Sequence, residues 1–232
     1  MKFGKYLTAF SVFSVIAGVA LPANAITSQD TGWYRNDGFH DPSFENYAIG
    51  NFSNSTVRNF GIFDISSIQG TITSATLSVD QPNDGFVSDE SSETWQLHEI
   101  TTDTTELANG MGGLPAYQDL GDGPVFGSTQ ITDSSERNQV SIDLNSSGIS
   151  FLNSQSREIA LGGVCATCDS STEYSFGFSG FSNWNLQTQT SQQPEPIPFE
   201  AEGTMGLLAL GVFFGYRYYK KRKQVSVQKH NG

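Results

Sequence analysis

Apolar residues in the middle of this chain come in short stretches with a spacing close to two, separated by clusters of turn formers. Residues 57–65 are dense in Phe and Ile. Over 71–79 the alternation places Thr73, Ala75, Leu77 and Val79 on one face, and over 94–100 it brings in Trp95 and Leu97 with His98 turned outward. Residues 138–144 put Val140, Ile142 and Leu144 together. Tyr174, Phe176 and Phe178 alternate with Ser175, Gly177 and Ser179, a pattern that reads as core, and 184–189 reads as a last strand. Gln69-Gly70, Pro82-Asn83-Asp84-Gly85 and Gly121-Asp122-Gly123-Pro124 supply turns between them. Helical patches are expected only at 104–109 and 146–155. Many short strands with frequent turns predict an all-β fold, an antiparallel jelly-roll-like β-sandwich over residues 26–187.

Charge narrows the function. The chain holds 24 acidic and 12 basic side chains. Between residues 26 and 193 there are 21 acids, four arginines and no lysine. A phosphate backbone is repelled by such a surface, which excludes nucleic acid as a partner.

The two ends read as addresses. Lys2 and Lys5 precede a mostly apolar run over 7–21, and Ala23-Asn24-Ala25 has the small-x-small form of a cleavage site, so residues 1–25 are expected to be a secretory signal peptide. Residues 203–219 form an apolar segment with Arg217 near its end, at about 17 residues the lower limit for a transmembrane helix. Lys220, Lys221, Arg222 and Lys223 open a basic tail over 220–232, expected to stay cytoplasmic. The linker 188–202 carries Pro194, Glu195, Pro196, Pro198, Phe199 and Glu200. Pro-Glu-Pro, then an apolar segment, then a basic cluster resembles the PEP-CTERM sorting signal in its cyanobacterial Pro-Phe-Glu variant. The resemblance implies export, transient anchoring by the tail, recognition by an exosortase-type membrane protease, and delivery to the cell surface or extracellular matrix.

A second resemblance covers residues 30–77. Asn46-Tyr47-Ala48-Ile49-Gly50, then Arg58-Asn59-Phe60-Gly61-Ile62-Phe63-Asp64-Ile65-Ser66-Ser67-Ile68, then Ile72-Thr73-Ser74-Ala75-Thr76-Leu77 is similar to the opening half of DNRLRE-type domains. These are β-sandwiches attached to extracellular polysaccharide-active and surface proteins. From the residues themselves the stretch reads as architecture, with Phe60, Ile62 and Phe63 as core.

Candidate chemistry is sparse. No nucleophile elbow, His-Glu-x-x-His or phosphate-binding glycine loop is present, and the chain is read as a non-enzyme. Asp119 and Asp122 flank Gly121 in a tight loop and form the candidate calcium site, with Asn83-Asp84-Gly85 as a second oxygen cluster, against the alternative of an Asx turn. Cys165 and Cys168 are expected to form a local disulfide, since zinc would need two further ligands. Trp33, Tyr34 and Trp184 lie in irregular stretches with polar neighbours and are the candidate glycan contacts. The combined expectation is an exported, membrane-sorted protein that binds or organises exopolysaccharide without catalysis. The alternatives are a matrix protein with no specific ligand and a secreted polysaccharide-active enzyme.

Overall fold

The computed structural model describes residues 24–135, 138–177 and 184–191. The described residues are mostly β, with every strand pair antiparallel. The strands are β1 (Asn24–Thr27), β2 (Asp30–Arg35), β3 (Tyr47–Phe52), β4 (Ser55–Asp64), β5 (Thr71–Asp80), β6 (Phe86–Val87), β7 (Glu93–Glu99), β8 (Val125–Ile131), β9 (Gln139–Asp143), β10 (Glu158–Cys165), β11 (Tyr174–Gly177) and β12 (Trp184–Ser191). Among the described residues, three α-helices interrupt them, α1 (Thr104–Ala108), α2 (Gly113–Asp119) and α3 (Ser146–Ser154), with a single 3-10 turn at Asp133–Ser135. Among the described residues, no helix is long and apolar enough to cross a membrane. Residues 1–23, Phe178 and everything beyond Ser191, including the Pro-Glu-Pro motif, the segment 203–219 and the basic cluster, lie outside the described residues.

A four-stranded sheet runs β1-β12-β5-β9, and an eight-stranded sheet runs β6-β11-β3-β4-β10-β7-β8 with β2 added to β4. The larger sheet branches at β4. Val57 pairs with both Arg35 and Gly50, so β2 and β3 lie on opposite edges of β4. Ile62 pairs with both Asp30 and Ala160, so β10 takes over the edge that β3 leaves. One long strand thereby organises both the sheet and the cleft described below.

The two sheets share an apolar layer. Phe63, Trp95, Leu97 and Leu161 come from the larger sheet, and Leu77, Val79, Ile142, Trp184 and Leu186 from the smaller. A second core lies against the larger sheet, where Tyr34, Phe60, Ile62 and Ala160 pack with Leu107 of α1 and Ala116 of α2. Strand β4 contributes to both cores, which explains why its sequence is an apolar run and not an alternation.

Local chemistry accounts for the helix ends. Asp103 accepts from the Thr105 and Glu106 amides to start α1, and Asn145 accepts from the Ser147 and Gly148 amides to start α3. Both helices fall where the sequence predicts them. Helix α2 does not: Gly112, Gly113 and Pro115 read as breakers, yet Pro115 sits in the first turn, where its missing N–H costs nothing.

Other positions differ from expectation. In β5 the core face carries Ile72, Ala75, Leu77 and Val79, while Thr73 is exposed. Thr190 pairs with Ile72 and Gln189 with Ser74, so Thr73 is an extra residue that shifts the register by one. Strand β12 continues to Ser191, four residues into the expected linker, because Thr188 and Thr190 keep alternating onto the buried face. His98 is buried, not outward, with Nδ1 2.8 Å from the Gly123 carbonyl.

Candidate functional site

The hairpin of β3 and β4, with β2 and β11 beside it, encloses a cleft of about 510 Å³. That volume is within the range of small-ligand sites. Its apolar walls are Trp33 of β2, Phe52 of β3, Val57 of β4, and Tyr174 and Phe176 of β11. Phe52 and Tyr174 stack with ring centroids 3.9 Å apart, and Tyr174 and Phe176 lie 5.9 Å apart. Tyr174 and Phe176 therefore line the cleft, while Ser175 and Gly177 take the buried face. The alternation is as expected, but its faces are reversed. Small residues are needed where β11 packs closely, and the rings are left for the cleft.

Polar groups frame the rim. Trp33 Nε1 donates to Asn46 Oδ1 at 3.1 Å, which fixes the indole plane. Arg35 Nε donates to Asp37 Oδ1 at 2.8 Å, and its Nη2 makes a second, short contact with Oδ2. The Arg35 hydrogen bond, then the Phe39 amide, draw the Asp37 carboxyl down to about 2. Arg35 has five N–H donors, so this fork leaves others for a ligand. Its guanidinium also lies 4.9 Å from the ring centroid of Phe39, an exposed aromatic beside the cleft. Flat apolar faces with a hydrogen-bonding rim suit a ligand that is apolar on its faces and hydroxylated at its edges.

Searches against family models and curated proteins match nothing to this chain.

Two of the three aromatic candidates are misplaced by sequence reasoning. Trp33 is half-buried and lines the cleft. Tyr34, next along β2, points the other way and is 0 % exposed. Its hydroxyl donates to the Leu107 carbonyl at 2.8 Å and its ring stacks on His40 at 4.8 Å, which ties β2 to α1. Burial pushes its phenol up. Trp184 is also 0 % exposed, packed against Trp95 and Tyr47 and faced by Gly61. A Cβ on Gly61 would lie 2.5 Å from the Trp184 ring, so glycine is what admits the indole between the sheets. Neither side chain can reach a glycan.

Asp119 is spent on local structure. Its carboxylate accepts from the amides and hydroxyls of both Thr101 and Thr102, at 2.6–2.8 Å. Burial raises this carboxyl, but the Thr102 and Thr101 hydrogen bonds outweigh it and the net shift is downward. Asp122 is exposed, and these two acids are not part of a ligand group among the described residues. At the candidate calcium site, Asp119 forms a hydrogen-bonded clamp between the ends of β7 and α2.

Cys165 and Cys168 are joined in a disulfide with Cα atoms 5.6 Å apart. Sequence reasoning missed their neighbour: Glu93 of β7, 1 % exposed, turns its carboxylate toward them. Two positions missed in the cleft, Phe52 at the end of β3 and Asn46 just before its start, carried no spacing signal.

Proposed function

We propose that this chain is an exported, non-catalytic protein of the cell surface or extracellular matrix that binds or organises exopolysaccharide through the cleft lined by Trp33, Phe52, Tyr174 and Phe176. We read the paired sheets as a jelly-roll-like β-sandwich of DNRLRE type. The PEP-CTERM-like tail is its sorting signal, with an exosortase-type membrane protease as the processing partner. The observation that carries the binding reading is the aromatic cleft: partly exposed rings grouped around a cavity of sugar size, with Arg35 and Asn46 at its rim. Aromatic faces stack on the C–H faces of sugar rings, and rim donors take the hydroxyls. The low count of basic groups supports a neutral glycan over an acidic one.

The test is retention of the purified protein on sedimented polysaccharide from its own source. Saturable retention is expected, weakened about fivefold by Trp33→Ala and by Tyr174→Ala, for a stacking contribution of about 1 kcal/mol each. No retention, or retention that neither substitution alters, overturns the reading and leaves a matrix protein without a ligand. The sorting reading is tested separately. Replacing Pro194-Glu195-Pro196 should leave a membrane-retained species that keeps its tail, and unchanged processing would refute it.

A further inference from the structure

Glu93 places a buried carboxylate beside the disulfide. Its Oε1 accepts from Ser88 Oγ at 2.6 Å and its Oε2 accepts a short hydrogen bond from Thr167 Oγ1. Among the described residues it makes no ion pair, the pair recorded there being Arg35 with Asp37. A buried carboxylate without a cation is expensive, and two hydroxyl donors offset only part of that. Its Oε2 lies 3.8 Å from Cys165 Sγ, and a carboxylate oxygen and both sulfurs fall within 4.8 Å of one another.

We propose that, once reduced, Cys165 and Cys168 bind a zinc ion together with Glu93, so that disulfide and metal are alternative states of one loop. Tetrahedral zinc with Zn–S of about 2.3 Å and Zn–O of about 2.1 Å needs S···O of about 3.6 Å and S···S of about 3.8 Å. The Glu93–Cys165 distance of 3.8 Å is close to the first requirement, Cys168 Sγ lies within 4.8 Å of the carboxylate, and breaking the S–S bond permits the sulfurs to separate to the second. The Cys168 amide donates to Cys165 Sγ at 3.1 Å, a contact that also favours a thiolate. Ser88 holds Oε1 and Thr167 holds Oε2, which orients the carboxylate, and water would complete the tetrahedron.

Hydrogen bonds that do not involve the sulfurs also hold the loop. The Ala166 amide donates to the Thr94 carbonyl at 2.8 Å, and Asn51 Nδ2 donates to the carbonyls of Cys168 and Ser170. The amides of Asp169 and Ser170 both donate to Glu173 Oε2. Reduction therefore leaves the ligands in place. In that step a dithiol reductant supplies two electrons and two protons to the S–S bond and becomes a disulfide itself. Zinc binding then releases the two thiol protons to solvent.

The experiment uses the full chain, reduced anaerobically and freed of reductant, with cobalt(II) as the spectroscopic probe and zinc(II) as competitor. One cobalt per chain with a thiolate-to-metal charge-transfer band, abolished by zinc, is expected. The oxidised chain and Cys165→Ser should show no band, and Glu93→Gln should bind at least about tenfold more weakly. Thr167→Val keeps every ligand and should also weaken binding about tenfold, which keeps the test decisive if Glu93→Gln does not fold. A reduced native chain without the band overturns the proposal, as does equal affinity in the Glu93 or Thr167 variant. Glycan retention is read independently, so neither result depends on the other.

Discussion

Truncating Trp184 and Trp33 in parallel separates a core indole from a binding indole. Trp184 is fully buried, with Trp95 at 5.6 Å and Tyr47 at 6.1 Å between ring centroids, and Gly61 against its face. Removing an indole packed between rings leaves a large cavity, so Trp184→Ala should cost about 3–5 kcal/mol. For a domain of this size that corresponds to a fall in Tm of about 10–15 °C. Trp33 is half-buried at the cleft and its removal forfeits the hydrogen bond to Asn46, for a loss of about 1 kcal/mol and a Tm change of about 3 °C. Trp184→Phe refines the argument. Trp184 Nε1 meets no acceptor among the described residues, so removing it relieves a desolvated N–H while keeping most of the ring. That variant should melt closer to the native protein than to Trp184→Ala. Thermal unfolding followed by circular dichroism reads all three, with glycan retention measured on the same samples. If Trp184→Ala melts within a few degrees of native and loses glycan retention, the ring is a surface contact and the packing argument fails. An equally large loss of stability in Trp33→Ala would instead refute the assignment of the cleft.

The Thr73 bulge predicts that Ile72→Ala destabilises by about 2–4 kcal/mol while Thr73→Ala stays within about 0.5 kcal/mol, a contrast that urea titration resolves and that reverses if β5 keeps a regular register. Asp119→Asn should cost about 1–3 kcal/mol at neutral pH, because one uncharged amide oxygen replaces the two carboxylate oxygens that accept from the amides and hydroxyls of Thr101 and Thr102. Since the folded carboxyl titrates below its unfolded value, its stabilisation is full above about pH 4 and fades as pH falls through the folded value. Urea midpoints of native and Asp119→Asn protein should therefore converge in acid, and a gap that persists there would contradict the clamp. With both Asp119 oxygens occupied, melts in calcium and in chelator should coincide, and a calcium-dependent rise in Tm would restore the cation site.

Alternation and turn chemistry are local properties, and what depends on them was legible in the chain alone. The mostly β character, the positions of β4, β5, β7, β9 and β12, and the capped helices α1 and α3 all follow from residue spacing and from Asp103 and Asn145. The Cys165–Cys168 bond is legible for the same reason, since three residues of separation bring two sulfurs together in a turn. Tertiary structure decided which face each alternating set would occupy. Tyr34 and Trp184 look irregular because they sit at strand edges of the sequence pattern, but Gly61 and α1 make room for them inside. Tyr174 and Phe176 look like core because they alternate with small residues, yet Ser175 and Gly177 occupy the crowded side. Thr73 could not be placed from sequence, because a bulge depends on the partner strand 116 residues away. Glu93 and the cleft depend on long-range pairing too: pairing with β10 brings β7 beside the cysteine loop, and the branch at β4 brings β2 to the same cleft as β11. Spacing along the chain records which residues share a face. Only the packing of sheet against sheet decides what that face meets.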